Sequence, residues 1–231
     1  MSRVLVLAGG SPHAHDFAAS GDALATLAYS HGHEAARAVH PDDAVSALAG
    51  GSFDALVVAG LWWRMHGAAY DAWRADWAYE TPAAIRAAIA SFVRSGGGLV
   101  ALHTAPICFD DWPEWHDVVG GAWRWGTSSH PPYGTVTAAV VAPEHPVMAG
   151  VREHIELCDE VYGGLDVRAD VHVLVTARRT PDDADQPVVW AHTFGTGRVV
   201  YDCFGHDGAS IAHPHNAAII ANALAWVTER S

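Results

Sequence analysis

Histidine is the residue type with the most telling chemistry in this chain, because imidazoles directly follow segments predicted to be buried strands. His103 follows the apolar run Leu99–Leu102, and His206 follows the run Arg198–Phe204. An imidazole can act as an acid, a base or a metal ligand near neutral pH. Since strand ends of a parallel sheet share one edge, the two rings predict an acid–base or metal site there.

Adjacent carboxylates supply a second chemical signal. Asp159 and Glu160 follow a short apolar segment, and beside a histidine cluster such a carboxylate can serve as a ligand or a general base. We take His103, His206 and Glu160 as the candidate catalytic residues, and the same three as candidate ligands of a divalent ion such as zinc. The structural alternative is that the histidines hydrogen-bond to loop backbones and the carboxylates form a solvated turn.

Other residues near predicted strand ends are candidate substrate contacts. They are His15, Asp16, Trp62, Trp63, Thr104, His130, Tyr162 and Asp207. Flat indole rings with a polar edge suit the C–H faces of a sugar, although most of the ten tryptophans are expected in the core.

Alternating strands and helices must position these residues. The predicted strands are 4–8, 34–39, 55–59, 99–102, 136–141, 171–177, 187–192 and 198–204. The predicted helices are 15–31, 42–48, 115–119 and 215–227, together with one capped by Thr81 that runs from Pro82 to about Arg94. This alternation predicts a single α/β domain over residues 1–231 with a mostly parallel sheet, and an antiparallel pair where Gly195–Gly197 forms a turn.

Composition excludes several classes of partner. The 26 acidic residues outnumber 13 Lys and Arg, giving a net charge of -13 without a basic run, which argues against nucleic-acid binding. No apolar stretch reaches the roughly 18 residues that a membrane span needs, and the three cysteines form no C-x-x-C pair. We therefore expect a cytoplasmic protein with reduced thiols that does not associate with a membrane. Its tryptophan-rich loops suit a carbohydrate ligand or a homodimer contact.

Taken together, the motifs resemble those of the ThuA-like (trehalose-utilisation) family over Val4 to Trp226. The motifs are His15–Asp16, Phe92–His103, His145–Pro146, Asp159–Tyr162, Pro187–Trp190, Phe194–Val199 and Phe204–His206. The resemblance implies the fold of class I glutamine amidotransferases, a flavodoxin-like, mostly parallel sheet with helices on both faces. Those amidotransferases carry a catalytic cysteine at the elbow after the central strand, whereas this chain has His103. Glutamine hydrolysis is therefore disfavoured.

The resemblance implies a role in the catabolism of trehalose or a related disaccharide, alongside oxidoreductases that make 3-keto sugars. We expect an enzyme that acts on a keto-disaccharide or glycoside by histidine acid–base or metal-assisted chemistry. Two alternatives remain open: a non-catalytic sugar-binding or regulatory module, and a zinc-dependent hydrolase.

Overall fold

The computed structural model describes residues 1–180 and 182–229. The strands are β1 (Arg3–Leu7), β2 (Glu34–Ala38), β3 (Ala55–Val58), β4 (Gly98–Leu102), β5 (Gly121–Ala122), β6 (Gly134–Val140), β7 (His154–Asp159), β8 (Asp166–Val167), β9 (His172–Ala177), β10 (Gln186–Phe194) and β11 (Gly197–Asp202). The α-helices are α1 (Phe17–Ser30), α2 (Pro41–Gly50), α3 (Asp71–Trp77), α4 (Ala83–Arg94), α5 (Trp115–Val119), α6 (Gly208–Ala212) and α7 (Pro214–Thr228).

A parallel core occupies half of the main sheet. The nine-stranded order is β2-β1-β3-β4-β11-β10-β9-β6-β7, and its first five strands are parallel in the 2-1-3-4-5 order of flavodoxin-like folds. Helices α1 and α7 pack together on one face, and α2 and α4 pack together on the other. The predicted α/β fold class is confirmed. The carboxyl ends of β1, β4 and β11 consequently lie along one edge.

Burial on both faces explains why these strands are continuous apolar runs. All residues of β3 and β4 are buried, as are the last four residues of β1. Each large aliphatic side chain removed from water contributes about 1.5–3 kcal/mol, so the core strongly specifies the register of these strands.

The remaining strands extend the sheet in antiparallel fashion. The predicted turn joins β10 to β11, and Gly195 there has a φ of 65°, in the left-handed region that glycine adopts without strain. Strand β7 forms the edge and alternates exposed and buried side chains. Its last residue is Asp159, so β7 carries Glu160 to the site edge of the sheet.

Some local predictions were wrong. Helix α4 begins at Ala83 after Pro82, and its N-cap makes no side-chain hydrogen bond. The Thr81 hydroxyl donates instead to Asp111 Oδ1, at 2.6 Å. Helix α1 begins at Phe17 rather than His15. Within the described residues, no helix has the length and apolar character that a membrane span requires.

Candidate functional site

The turn after β4 holds His103 in an unusual backbone conformation. Its φ is 46°, in the left-handed region that non-glycine residues rarely adopt. The His103 amide donates to the Asp202 carbonyl at 2.8 Å, and the Tyr201 hydroxyl donates to the His103 carbonyl at 3.0 Å. These two hydrogen bonds stabilise the strained turn, which places the imidazole at the carboxyl edge of the sheet.

Three imidazoles converge at this edge from three different strand ends. The ring centroid of His103 lies 4.9 Å from that of His15 and 5.2 Å from that of His206, and the last two are 4.5 Å apart. The planes cross at 78° to 90°. The two histidines expected to meet from β4 and β11 therefore do so, and His15 from the β1 loop completes a group that we call the imidazole cluster.

Two rings of the imidazole cluster, His15 and His103, are shielded from water, which disfavours their charged forms. The pKa of His206 is raised instead, because the opposing effect of burial is outweighed by the contact with Glu160. Burial, followed by the nearby His103 and His206 rings, lowers the pKa of His15 to about 3. Burial likewise lowers the pKa of His103 to about 4, against the opposing effect of its hydrogen bond to the Cys203 carbonyl. His15 and His103 are accordingly neutral at pH 7.

Hydrogen bonding fixes the tautomer of His103. Its Nδ1 lies 2.7 Å from the Cys203 carbonyl oxygen. Because a carbonyl oxygen only accepts, Nδ1 carries the proton and Nε2 keeps its lone pair. The Tyr162 hydroxyl, 3.2 Å from Nε2, donates to it, and burial keeps the pKa of Tyr162 well above its usual value, so the proton is retained.

Glu160 is the carboxylate of the site. Its Oε2 lies 3.5 Å from His103 Nε2 and 3.6 Å from His206 Nδ1, and its Oε1 lies 3.3 Å from His130 Nδ1. Although partial burial opposes it, the contacts with His130 and His206 hold the pKa of Glu160 far below its usual range. The hydrogen bond with Glu160 outweighs burial and raises the pKa of His130. The carboxylate is therefore ionised at neutral pH and paired with a readily protonated histidine.

Above Glu160 lies a cleft with a volume of about 270 Å³. Its described lining combines polar and aromatic residues, namely Ser11, His13, His15, Trp63, Tyr70, Trp73, Thr104, Trp125, His130, Glu160, Tyr162 and His206. Trp125 is 46% exposed at the rim and stacks on Trp63, with ring centroids 4.9 Å apart. The cleft thus has a polar end and an aromatic wall.

A larger depression of about 750 Å³ lies at the opposite edge of the parallel core, but its chemistry is poor. Its described lining includes no histidine or cysteine, and Arg198 there pairs with Glu229 at 3.0 Å. Ligands of open α/β sheets bind outside the carboxyl ends of the strands, so the smaller cleft is the candidate site.

His103 itself lies beneath the cleft floor. It is only 3% exposed, and it adjoins a minute cavity of about 10 Å³ shared with His15 and His206. The structure therefore separates the predicted catalytic residues by position: Glu160 and His206 line the cleft, whereas His103 contacts the cleft residues from below.

Three predicted substrate contacts, Asp16, Asp207 and Trp62, have structural partners. The Asp16 carboxylate accepts from the Ala19 amide at 2.9 Å and caps α1. The Asp207 carboxylate accepts from the Ser210 amide at 2.8 Å and caps α6. Trp62 is not among the residues that line the cleft, although its neighbour Trp63 is.

Trp62 packs against His40 and Tyr79, at centroid distances of 4.7 and 5.5 Å. Thr104 does line the cleft, but its hydroxyl donates to the Gly60 carbonyl at 2.7 Å. Sequence reasoning missed Tyr133, whose ring packs 4.8 Å from that of His206. Tyr133 follows two prolines in an irregular loop, where no periodicity could have signalled this contact.

The family model described as trehalose utilisation, ThuA, matches residues 3–227. The chain belongs to the ThuA family. No curated protein sequence matches the chain.

Solved structures support the same fold. A ThuA-like protein from Parabacteroides merdae has a TM-score of 0.78 at 16% identity, with 98% of this chain and 90% of that chain covered. A ThuA-like protein from Bacteroides uniformis has a TM-score of 0.72 at 18% identity, covering 98% and 91%. A cytoplasmic protein from Salmonella typhimurium LT2 has a TM-score of 0.68 at 16% identity, covering 99% and 100%.

The position after β4 in this ThuA-family chain holds His103 and offers no serine or cysteine nucleophile. Cys108, five residues downstream, is fully buried, and its sulfur accepts a hydrogen bond from the Trp62 amide at 3.4 Å. Burial raises the pKa of Cys108 to about 12, and it raises the pKa of the buried Cys203 as well. Because the thiolate is the nucleophilic form, both thiols are inert, which leaves the imidazoles and Glu160 as the candidate reactive groups.

Proposed function

We propose that this protein is an enzyme of carbohydrate catabolism that acts on a keto-disaccharide or keto-glycoside, such as a 3-keto derivative of trehalose. The observation that carries the proposal is the ionised Glu160 carboxylate, which lines an aromatic-walled cleft between His130 and the imidazole cluster. Membership of the family described as trehalose utilisation supports a carbohydrate substrate.

A ketone separated by one carbon from the glycosidic carbon makes elimination accessible. Glu160 removes the proton from the carbon between the two, and the electron pair moves toward the ketone oxygen to form an enolate. When the enolate re-forms the ketone, a carbon–carbon double bond forms to the glycosidic carbon and the glycosidic C–O bond breaks. The departing sugar oxygen takes a proton from His130, whose Nδ1 lies 3.3 Å from Glu160 Oε1. The products are an unsaturated keto sugar and a free sugar, so all atoms balance.

The intermediate enolate needs an electrophile at the ketone oxygen. His206 lines the cleft beside Glu160, so a ring N–H of His206 would serve as that electrophile. A metal ion, if the imidazole cluster held one, would supply Lewis-acid chemistry at the same end of the cleft. His103 acts from below as a positioning residue, since it touches His15, His206 and Tyr162 rather than the open cleft.

The aromatic wall suits the second sugar. Trp63, Trp73 and Trp125 line the same cleft as the catalytic carboxylate, and flat rings pack against the C–H faces of a pyranose. We assign the departing sugar to this wall.

Turnover of 3-keto-trehalose, followed by NMR, tests the proposal. We expect Glu160→Gln and His206→Asn to lower kcat by ~10²–10⁴-fold, the range for loss of a general acid or base, while His31→Ala on the remote end of α1 keeps wild-type turnover. Equal turnover by all of these proteins would reject the assignment. The NMR spectrum also separates elimination from zinc-dependent hydrolysis, which yields two saturated sugars.

The burial of His103 favours a second candidate, a sugar-binding module without catalysis. For such a module, calorimetry would detect sugar binding, NMR would detect no product, and chelators would leave the sugar affinity unchanged. The same samples distinguish the two functions.

A further inference from the structure

The imidazole cluster has the composition and shape of a metal site. His15, His103 and His206 each offer one ring nitrogen, and these three atoms lie within 4.8 Å of one another. Each residue comes from the loop after a different parallel strand, and the rings stand nearly perpendicular to one another. Histidines that merely pack in a core have no reason to converge on a common point.

One nitrogen of the cluster lacks a partner, and a second has only a distant one. Nδ1 of His15 is buried and makes no hydrogen bond. Nδ1 of His206 is also buried, and the Glu160 Oε2 atom that pairs with it lies 3.6 Å away, beyond hydrogen-bond distance. Buried polar atoms are nearly always paired, and an orphaned one calls for an explanation such as a bound ion. The unpaired His15 nitrogen therefore indicates that the cluster holds a further group.

His103 has the outer contact that metal-binding histidines require. A ligating histidine donates its other ring N–H to a carbonyl or carboxylate, which fixes the ring and directs the lone pair to the ion. His103 Nδ1 donates to the Cys203 carbonyl at 2.7 Å, and its Nε2 accepts from the Tyr162 hydroxyl at 3.2 Å and lies 3.5 Å from Glu160. Nε2 therefore carries the lone pair that would bind an ion, in exchange for the hydrogen bond from Tyr162.

We propose that His15, His103 and His206 bind one divalent transition-metal ion, for which zinc is the reference, with an open coordination position facing the cleft. Zn–N bonds of ~2.0–2.1 Å in a tetrahedral site place ligand nitrogens ~3.4 Å apart, so the rings need to close by at most ~1.4 Å. Sequence reasoning chose Glu160 as the third ligand, and the geometry assigns His15 instead. Glu160 then lies beside the open position.

Three imidazole ligands with an open position are typical of catalytic zinc rather than structural zinc, which is closed by four protein ligands. The ion at this point would face the same region of the cleft as Glu160. Its ligand class is accordingly a water molecule or a sugar oxygen.

Calorimetric titration of Zn²⁺ into chelator-stripped, tag-free protein tests the site, with the visible absorption of bound Co²⁺ as a second readout. We expect about one equivalent per chain, and His15→Ala should weaken binding by more than ~100-fold, beyond the ~10–100-fold that loss of an outer contact costs. His13→Ala is the matched control, because this exposed histidine lies two residues away and stacks on Trp73 at 4.6 Å. Circular dichroism of each variant verifies the fold, and His206→Asn repeats the test in another loop.

Binding that is unchanged in His15→Ala and His206→Asn, or absent from the wild type, would overturn the proposal. So would binding lost in Glu160→Gln but retained in His15→Ala. The metal site and the proposed reaction can fail separately. If the protein turns over the keto-sugar but binds no Zn²⁺, only the metal-site proposal is rejected. If it binds Zn²⁺ tightly but does not turn over the keto-sugar, only the proposed reaction is rejected.

Discussion

Acidification should destabilise this fold through two buried imidazoles of the cluster. The pKa of His15 is lowered to about 3 and that of His103 to about 4, from 6.5, chiefly by burial. As pH falls below 6.5, both rings take up protons in the unfolded chain but stay neutral in the folded protein. The unfolded state then binds more protons, so the free energy of unfolding decreases between pH 6.5 and about 4.

The size of the effect follows from the same shifts. Each ring contributes about 1.4 kcal/mol per pH unit below its unfolded pKa, which integrates to ~2 kcal/mol per ring, and ~4 kcal/mol for both, between about pH 7.5 and about pH 5. His15→Gln should remove about half of this loss. Urea unfolding of chelated protein, followed by tryptophan fluorescence across this pH range, measures it.

The control is His31→Gln, which alters an exposed ring after α1 and should keep the wild-type pH dependence. If His15→Gln and wild type lose the same free energy of unfolding on acidification, His15 is not held neutral and buried in the folded protein. The packing of the imidazole cluster described above would then be wrong.

Two further predictions concern the cleft and the core. Trp125→Ala should raise KM for the keto-sugar by about 2–10-fold with little change in kcat, because the exposed indole contributes stacking of ~0.5–1.5 kcal/mol to ground state and transition state alike; a fall in kcat at constant KM in steady-state kinetics would contradict this. Gly120→Ala should lower the free energy of unfolding by ~2–4 kcal/mol, because Gly120 has a φ of 85° and its new Cβ would lie 2.9 Å from His192 and Trp190. Gly150 has a φ of 73° with open space around it, so Gly150→Ala should lose only the free energy that the left-handed backbone conformation costs an alanine. Equal losses of unfolding free energy by the two variants in calorimetric melts would refute the packing argument.

The sequence predicted correctly those strands that are buried on both faces and the strand pair that is joined by a glycine turn. Strands β3 and β4 are covered by helices on both faces, so their residues form continuous apolar runs that can be recognised in the sequence. The parallel order then brings the ends of β4 and β11 together, which is why His103 and His206 could be paired in advance. The antiparallel pairing of β10 with β11 followed from its glycine turn.

Side chains near helix starts were harder to assign. Asp16 and Asp207 stand after strands, as binding carboxylates often do, but each is also an ideal N-cap. The amides that they accept from lie three residues onward, and whether a carboxylate turns to them or to the cleft depends on the loop path. Trp62 and Trp63 are neighbours in sequence, yet only Trp63 reaches the cleft.

By itself, the sequence determined that β1, β3 and β4 are buried strands of a parallel core, and that an imidazole directly follows β4. Only the tertiary structure decided which polar groups share the cleft. His15, Glu160 and His130 come from distant segments, and their distances depend on how a loop, the edge strand β7 and an irregular segment pack over the strand ends. Hydrophobic patterning specifies which face of an element is buried, but it carries no information about side-chain positions at the ångström scale on which coordination and proton transfer depend.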